Sequence, residues 1–109
     1  MSFTASKSAI ASETLVDYLN NFDATERDLE SVPGVGPAAR RALEEQNICS
    51  VQALVGRLLM CCNAENTCHE AYEDFYTAIH EIAPRANAHT ITFAVASVAD
   101  HLGLLPWED

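Results

Sequence analysis

The segment Val32-Pro33-Gly34-Val35-Gly36-Pro37 restricts the folds open to this chain more than any other stretch. Two glycines one residue apart let the backbone reverse sharply, and neither carries a side chain that would hold neighbouring groups away. Pro37 suits the first position of a helix, where its missing N–H costs nothing, so Ala38 to Gln46 reads as the helix it opens, with Leu43 facing inward. On the other side, Asp23 and Glu26 are spaced as a capping box for a short helix that runs through Leu29 and ends before Pro33.

The rest of the chain repeats the helical theme. From Ser8 to Phe22, Ile10, Leu15, Leu19 and Phe22 recur at helical spacing, with Glu13, Asp17 and Asn20 on other faces. Asn47 is a helix stop, and Ser50 caps a helix to about Cys61 whose apolar face holds Val51, Leu54, Val55, Leu58 and Leu59. Gly56 lies inside that helix, where a close approach by another helix or a partner would explain it. Thr67 and Glu70 form a capping box for a helix with Tyr72, Phe75, Ile79 and Ile82 inward, stopped by Pro84. Asn87 caps a last helix striped by Ile91, Val95, Val98, Leu102 and Leu105, with Phe93 and Ala96 off the stripe as a surface for a partner. No strand pattern or repeat interrupts this series. The fold expected is all-α, a compact bundle of five to six short helices. It comprises one domain over 8–105 with the hairpin at 24–46, a flexible 1–7, and a tail 106–109 whose Trp107 either hangs loose or docks on the core. With 109 residues, of which 49% are hydrophobic, there is enough apolar material for one core.

Charge argues in the opposite direction from the turn. Sixteen acidic and six basic residues give a formal charge of -10, which repels DNA at long range, so any nucleic-acid contact has to come from a local basic patch. Met1 to Ile10 does not read as a secretory leader, and the apolar run Ile91 to Leu105 is broken by Thr92, Asp100 and His101, so the expectation is a soluble intracellular protein without a membrane partner. Cys49, Cys61, Cys62 and Cys68 are read as reduced thiols. The cluster Cys61, Cys62, Cys68 and His69 matches no common zinc spacing, and no metal or cofactor is expected. His69, His80, His89 and His101 sit on different helices with no nucleophile motif beside them, and Glu44-Glu45 and Glu73-Asp74 read as solvated faces, so an enzyme is not expected. Tyr72, Phe75 and Tyr76 have the spacing of core residues rather than of a base-stacking platform.

The turn itself permits a specific chemistry. Backbone N–H groups at Gly34, Val35 and Gly36, with the positive end of the helix opened by Pro37, make an anion site that needs no lysine. Ala38 keeps that first turn slim, and Arg40-Arg41, the chain's one adjacent basic pair, follow a helical turn later, within reach of a neighbouring phosphate. This pattern reads as a helix-hairpin-helix motif, which grips the DNA backbone without reading sequence; the same hairpin also serves as a packing element or protein contact.

The likeness extends beyond the turn. Gly34-Val35-Gly36, the basic pair, Leu43-Glu44-Glu45, Gly56 ahead of Leu59, then Phe75, the Ala86-Asn87-Ala88 turn and a final amphipathic helix fall in an order that resembles the barrier-to-autointegration factor family, a SAM-like helical fold, over roughly Leu29 to Leu105. That resemblance implies a symmetric homodimer, non-sequence-specific binding and bridging of double-stranded DNA through the hairpins, a nuclear chromatin role, and LEM-domain partners. Matched residue by residue, it puts Gly34, Val35, Gly36 and Arg40 at the DNA, with Arg41 and Ala42 sharing the place of a second basic residue. Val55, Leu58 and Phe93 are candidates for the dimer interface. This chain departs from the family in its longer N-terminal segment, more acidic surface and fewer basic side chains. The alternative reading is an acidic protein-interaction module that keeps the fold without binding DNA.

Overall fold

The computed structural model describes residues 17–21, 28–62, 65 and 67–105, and all regular structure among them is helical. A 3-10 turn, Leu29–Ser31, precedes four helices: α1 (Pro37–Glu45), α2 (Val51–Met60), α3 (Cys68–Ile82) and α4 (Ala88–His101). Residues 17–20 are also helical, and Tyr18 and Leu19 pack against the core. The rest of the expected first helix, the Asp23/Glu26 capping box and Trp107 lie outside the described residues. The 3-10 turn starts at Asp28, whose side chain accepts from the Glu30 N–H at 3.0 Å.

Each helix begins and ends where local chemistry allows it. Pro37 opens α1 as its first residue, and Asn47, at φ 63°, takes the left-handed backbone that lets the chain leave α1. Ser50 Oγ accepts from the Ala53 N–H at 3.1 Å to start α2. Thr67 and Glu70 bond each other's backbone N–H at 3.1 and 3.0 Å to start α3. Asn87 Oδ1 accepts from the Thr90 N–H at 3.1 Å to start α4. Caps of this kind each contribute about 1 kcal/mol.

Helix α4 is the centre of the bundle and packs against both α2 and α3. Ten of its 14 residues are buried, Ala96 among them, so Ala96 belongs to the core rather than to an outward surface; Phe93 is half-buried and also leans on the core. Small side chains at Ala94, Ala96, Ser97 and Ala99 let neighbours close in from several sides. The helix is also shorter than its apolar stripe. It ends at His101, Gly103 turns the chain at φ 73°, and the Leu104 N–H donates to the Ala99 carbonyl at 2.8 Å, folding Leu105 back as a buried residue outside the helix.

The turn between the 3-10 turn and α1 sits on the first turn of α4. Val32 and Val35 are buried on either side of Gly34, whose φ of 93° is a backbone few L-residues adopt. A Cβ added there would lie 3.0 Å from both Ile91 Cγ1 and Thr90 Cγ2. Gly36 has no such constraint, since its Cβ would meet nothing within 4 Å. Gly56 is equally open among the described residues, so no close approach by any of them accounts for it.

Two stability measurements follow. Gly34→Ala should cost about 1–3 kcal/mol in urea unfolding through strain and contact with α4, while Gly36→Ala stays near wild type; equal effects at both would refute the docking account. Gly56→Ala should raise stability by about 1 kcal/mol, the helix-propensity difference at an open position. A loss there instead would mean that a group beyond the described residues packs against α2 at Gly56.

Candidate functional site

An open groove of about 560 Å³ runs between the hairpin and α1 on one side and the α3–α4 connection on the other. Gly34, Gly36, Ala38 and Ala42 form the first wall, and Ile82, Pro84, Arg85 and Asn87 the second. Its lining is mostly apolar and contains no carboxylate, in a chain with 16 of them. The groove thus carries the reverse of the molecule's overall charge.

Helix α1 presents its N-terminal end to this groove. Gly36 has no side chain with which to cap it, Pro37 has no N–H, and the first carbonyl used is Gly36 O, bonded by the Arg40 N–H at 2.9 Å. The N–H groups of Ala38 and Ala39 therefore precede the helical ladder, at the positive end of the helix dipole. Gly34 and Ala38 are exposed, whereas the Val35 side chain is buried, so only the backbone of Val35 can contribute to a contact.

The adjacent basic pair is divided by the helix. At about 100° per residue, Arg40 points roughly 200° around from Ala38, away from the groove. There its Nη1 lies 3.0 Å from Glu30 Oε2 and its Nε 3.5 Å from Glu44 Oε1, the latter an ion contact rather than a hydrogen bond. It borders a separate shallow cleft with Asp28, Leu29, Glu44 and Cys49. Arg40 thus has two carboxylates beside it, and its pair with Glu30 ties α1 to the 3-10 turn. Arg41 is exposed and makes no ion pair with a described residue.

Arg85 is the cation that reading the sequence missed. It is exposed and lines the groove opposite α1. Its one signal in the sequence is that it is the sole charged residue between Glu81 and Asp100. The residues expected at a dimer interface lie elsewhere: Leu58 is fully buried and Val55 nearly so, both inside the chain's own core, and Phe93 is half-buried. Leu58 has no surface to offer a second copy.

The remaining candidate side chains are placed as follows. Tyr72 and Phe75 are fully buried, and Tyr76, also buried, has its ring centroid 4.5 Å from that of His89 and 6.0 Å from that of His80. All four cysteines are free thiols; Cys61 donates to the Arg57 carbonyl at 3.4 Å and Cys62 to that of Leu58 at 3.8 Å. His69 Nε2 lies 3.3 Å from Glu73 Oε1. Among the described residues no three His, Cys, Asp or Glu side chains gather as a metal-ligand set, and no helix is long and apolar enough to cross a membrane. No family model, curated protein or solved structure matches the chain.

Burial raises the Cys61 thiol above its ordinary value, reinforced by the Asp74 carboxylate and Cys62 against an opposing pull from Arg57; burial and then Cys68 do the same for Cys62. A thiol whose pKa is raised by folding keeps its proton longer than in the unfolded chain, so its contribution to stability is present below the unfolded value of about 8.5 and is lost as pH rises past it. At pH about 8.5, iodoacetamide should label Cys61 and Cys62 more slowly in the native protein than in the urea-unfolded chain, as read by peptide mass spectrometry. Equal rates would show these thiols to be unprotected.

Proposed function

We propose that this protein binds double-stranded DNA through the phosphate backbone without sequence preference, using the 3-10 turn, hairpin and α1 as a helix-hairpin-helix unit, and bridges DNA as a homodimer. The single observation that carries this reading is the groove: the start of α1, which has no side-chain cap, and Arg85 line it together, and its lining is free of carboxylates. A phosphate oxygen accepts from such backbone donors, and the helix dipole and an arginine across the groove favour its charge. Arg41, on α1, adds a second exposed cation that makes no ion pair with a described residue. The resemblance to the barrier-to-autointegration factor family supports the same reading and supplies the dimer, the bridging and a nuclear site of action.

The mechanism is anchoring rather than recognition. Backbone donors at Gly36, Ala38 and Ala39 would hold one phosphate, and Arg41 and Arg85 the neighbouring ones, with no side chain reading a base edge. With about two cationic contacts per subunit, log affinity should fall with log salt at a slope of about -1.8 per subunit, and bridging by a dimer would raise the apparent affinity by avidity. A second reading, an interaction module that has lost DNA binding, is favoured by the charge of -10 and by the pairing of Arg40 with Glu30 and Glu44.

Fluorescence anisotropy with a nonspecific duplex across a salt series, with light scattering on the same sample, separates the two. Salt-sensitive binding by a dimer is expected. Arg41→Glu with Arg85→Glu should abolish binding, whereas Arg40→Gln should change affinity less than about threefold, because that charge is already matched. A wild-type dimer that fails to bind at low salt would favour the interaction module. Loss of binding in Arg40→Gln alone would overturn the division of the arginine pair.

A further inference from the structure

Phosphate contact would use the rim of the groove and leave its floor unexplained. Phosphates gain nothing from burying methyl groups, yet Ala38, Ala42, Ile82, Ala83, Pro84 and Ala86 give the groove a continuous apolar surface. Its volume, about 560 Å³, falls in the range of about 300–1,000 Å³ typical of sites that enclose apolar groups. Ala38 and Pro84 are exposed and Ala42, Ile82 and Ala86 half-buried, so this surface is open to a visitor.

Charge identifies the visitor. The lining holds one charged side chain, Arg85, and no carboxylate, although the chain as a whole carries -10. A basic segment would be drawn to the acidic surface elsewhere and repelled here, whereas an acidic one meets the reverse. We infer that the groove docks an acidic, amphipathic peptide segment of a partner protein, with apolar side chains between α1 and the α3–α4 connection and a carboxylate paired with Arg85.

The inference does not depend on DNA binding, and its test contains no nucleic acid. Random peptides displayed on phage are selected on the immobilised full chain, and the enriched peptides are synthesised and titrated by anisotropy. Enriched sequences should combine aliphatic residues with at least one Asp or Glu. Ala42→Phe, which fills the groove, should weaken their binding at least tenfold. Arg85→Glu should do the same, and a selection repeated on it should enrich basic peptides instead. Circular dichroism checks each variant, and because Arg85 is exposed, its reversal remains informative if Ala42→Phe fails to fold. Failure to enrich any peptide, enrichment without acidic residues, or binding indifferent to both variants would overturn the proposal. Self-association lost in Ala42→Phe, with no peptide enriched, would assign the groove to a second copy and overturn it equally.

Discussion

The placing of α1 and of the groove beside it depends on the contact between Gly34 and the first turn of α4. The chain must reverse between the 3-10 turn and α1, and it must do so against a helix that is already buried on most sides. A left-handed backbone without a Cβ meets both requirements, and the positions where a Cβ would fall, 3.0 Å from Ile91 and Thr90, show how little room remains. Once Gly34 is seated, Val32 and Val35 point into the core on either side of it, and Gly36 and Pro37 launch α1 beside the α3–α4 connection. The groove is the space left between these two segments. It is a consequence of the packing and required no separate device.

Electrostatics then sorts what that geometry offers. Surface ion pairs such as those of Arg40 contribute only about 0–1 kcal/mol to stability. Locally, the two carboxylates at 3.0 and 3.5 Å offset the positive charge of Arg40. Arg41, one residue further on, turns to a different face and keeps its charge. The net charge of -10 is therefore a poor guide to the groove, where the local sign is set by Arg85, the α1 dipole and the absence of carboxylates from the lining.

The local punctuation was legible in the sequence. Pro37 at a helix start, the Ser50 and Asn87 caps and the reciprocal Thr67–Glu70 pair each depend on residues at most three apart, and all form as their spacing implied. Legibility ended where the determinant was tertiary. Periodicity showed an apolar stripe on the last helix, but the number of neighbours around it decides that Ala96 is core and not surface. The apolar faces of α2 suggested Val55 and Leu58 for a second chain, whereas this chain's own core takes them. Arg40 finds Glu30 ten residues back, across a turn, and Arg85 meets α1 across a groove that no helical phase reveals.

The start of α4 serves three roles at once, and this ties ligand binding to folding. Asn87 caps the helix and lines the groove, while Thr90, whose N–H that cap holds, and Ile91 form the seat for Gly34. An occupant that bridges α1 and the α3–α4 connection therefore binds only where the hairpin is docked and the first turn of α4 is formed. Because such a ligand finds no assembled site on the unfolded chain, it must stabilise the native state by RT ln(1 + [L]/Kd), about 2.7 kcal/mol at a hundredfold excess over Kd. The same linkage means that weakening the Gly34 seat loosens the groove before it unfolds the bundle, since the α2–α3–α4 packing does not pass through the hairpin. Site and fold thus meet in one helical turn, and a change there alters affinity and stability together.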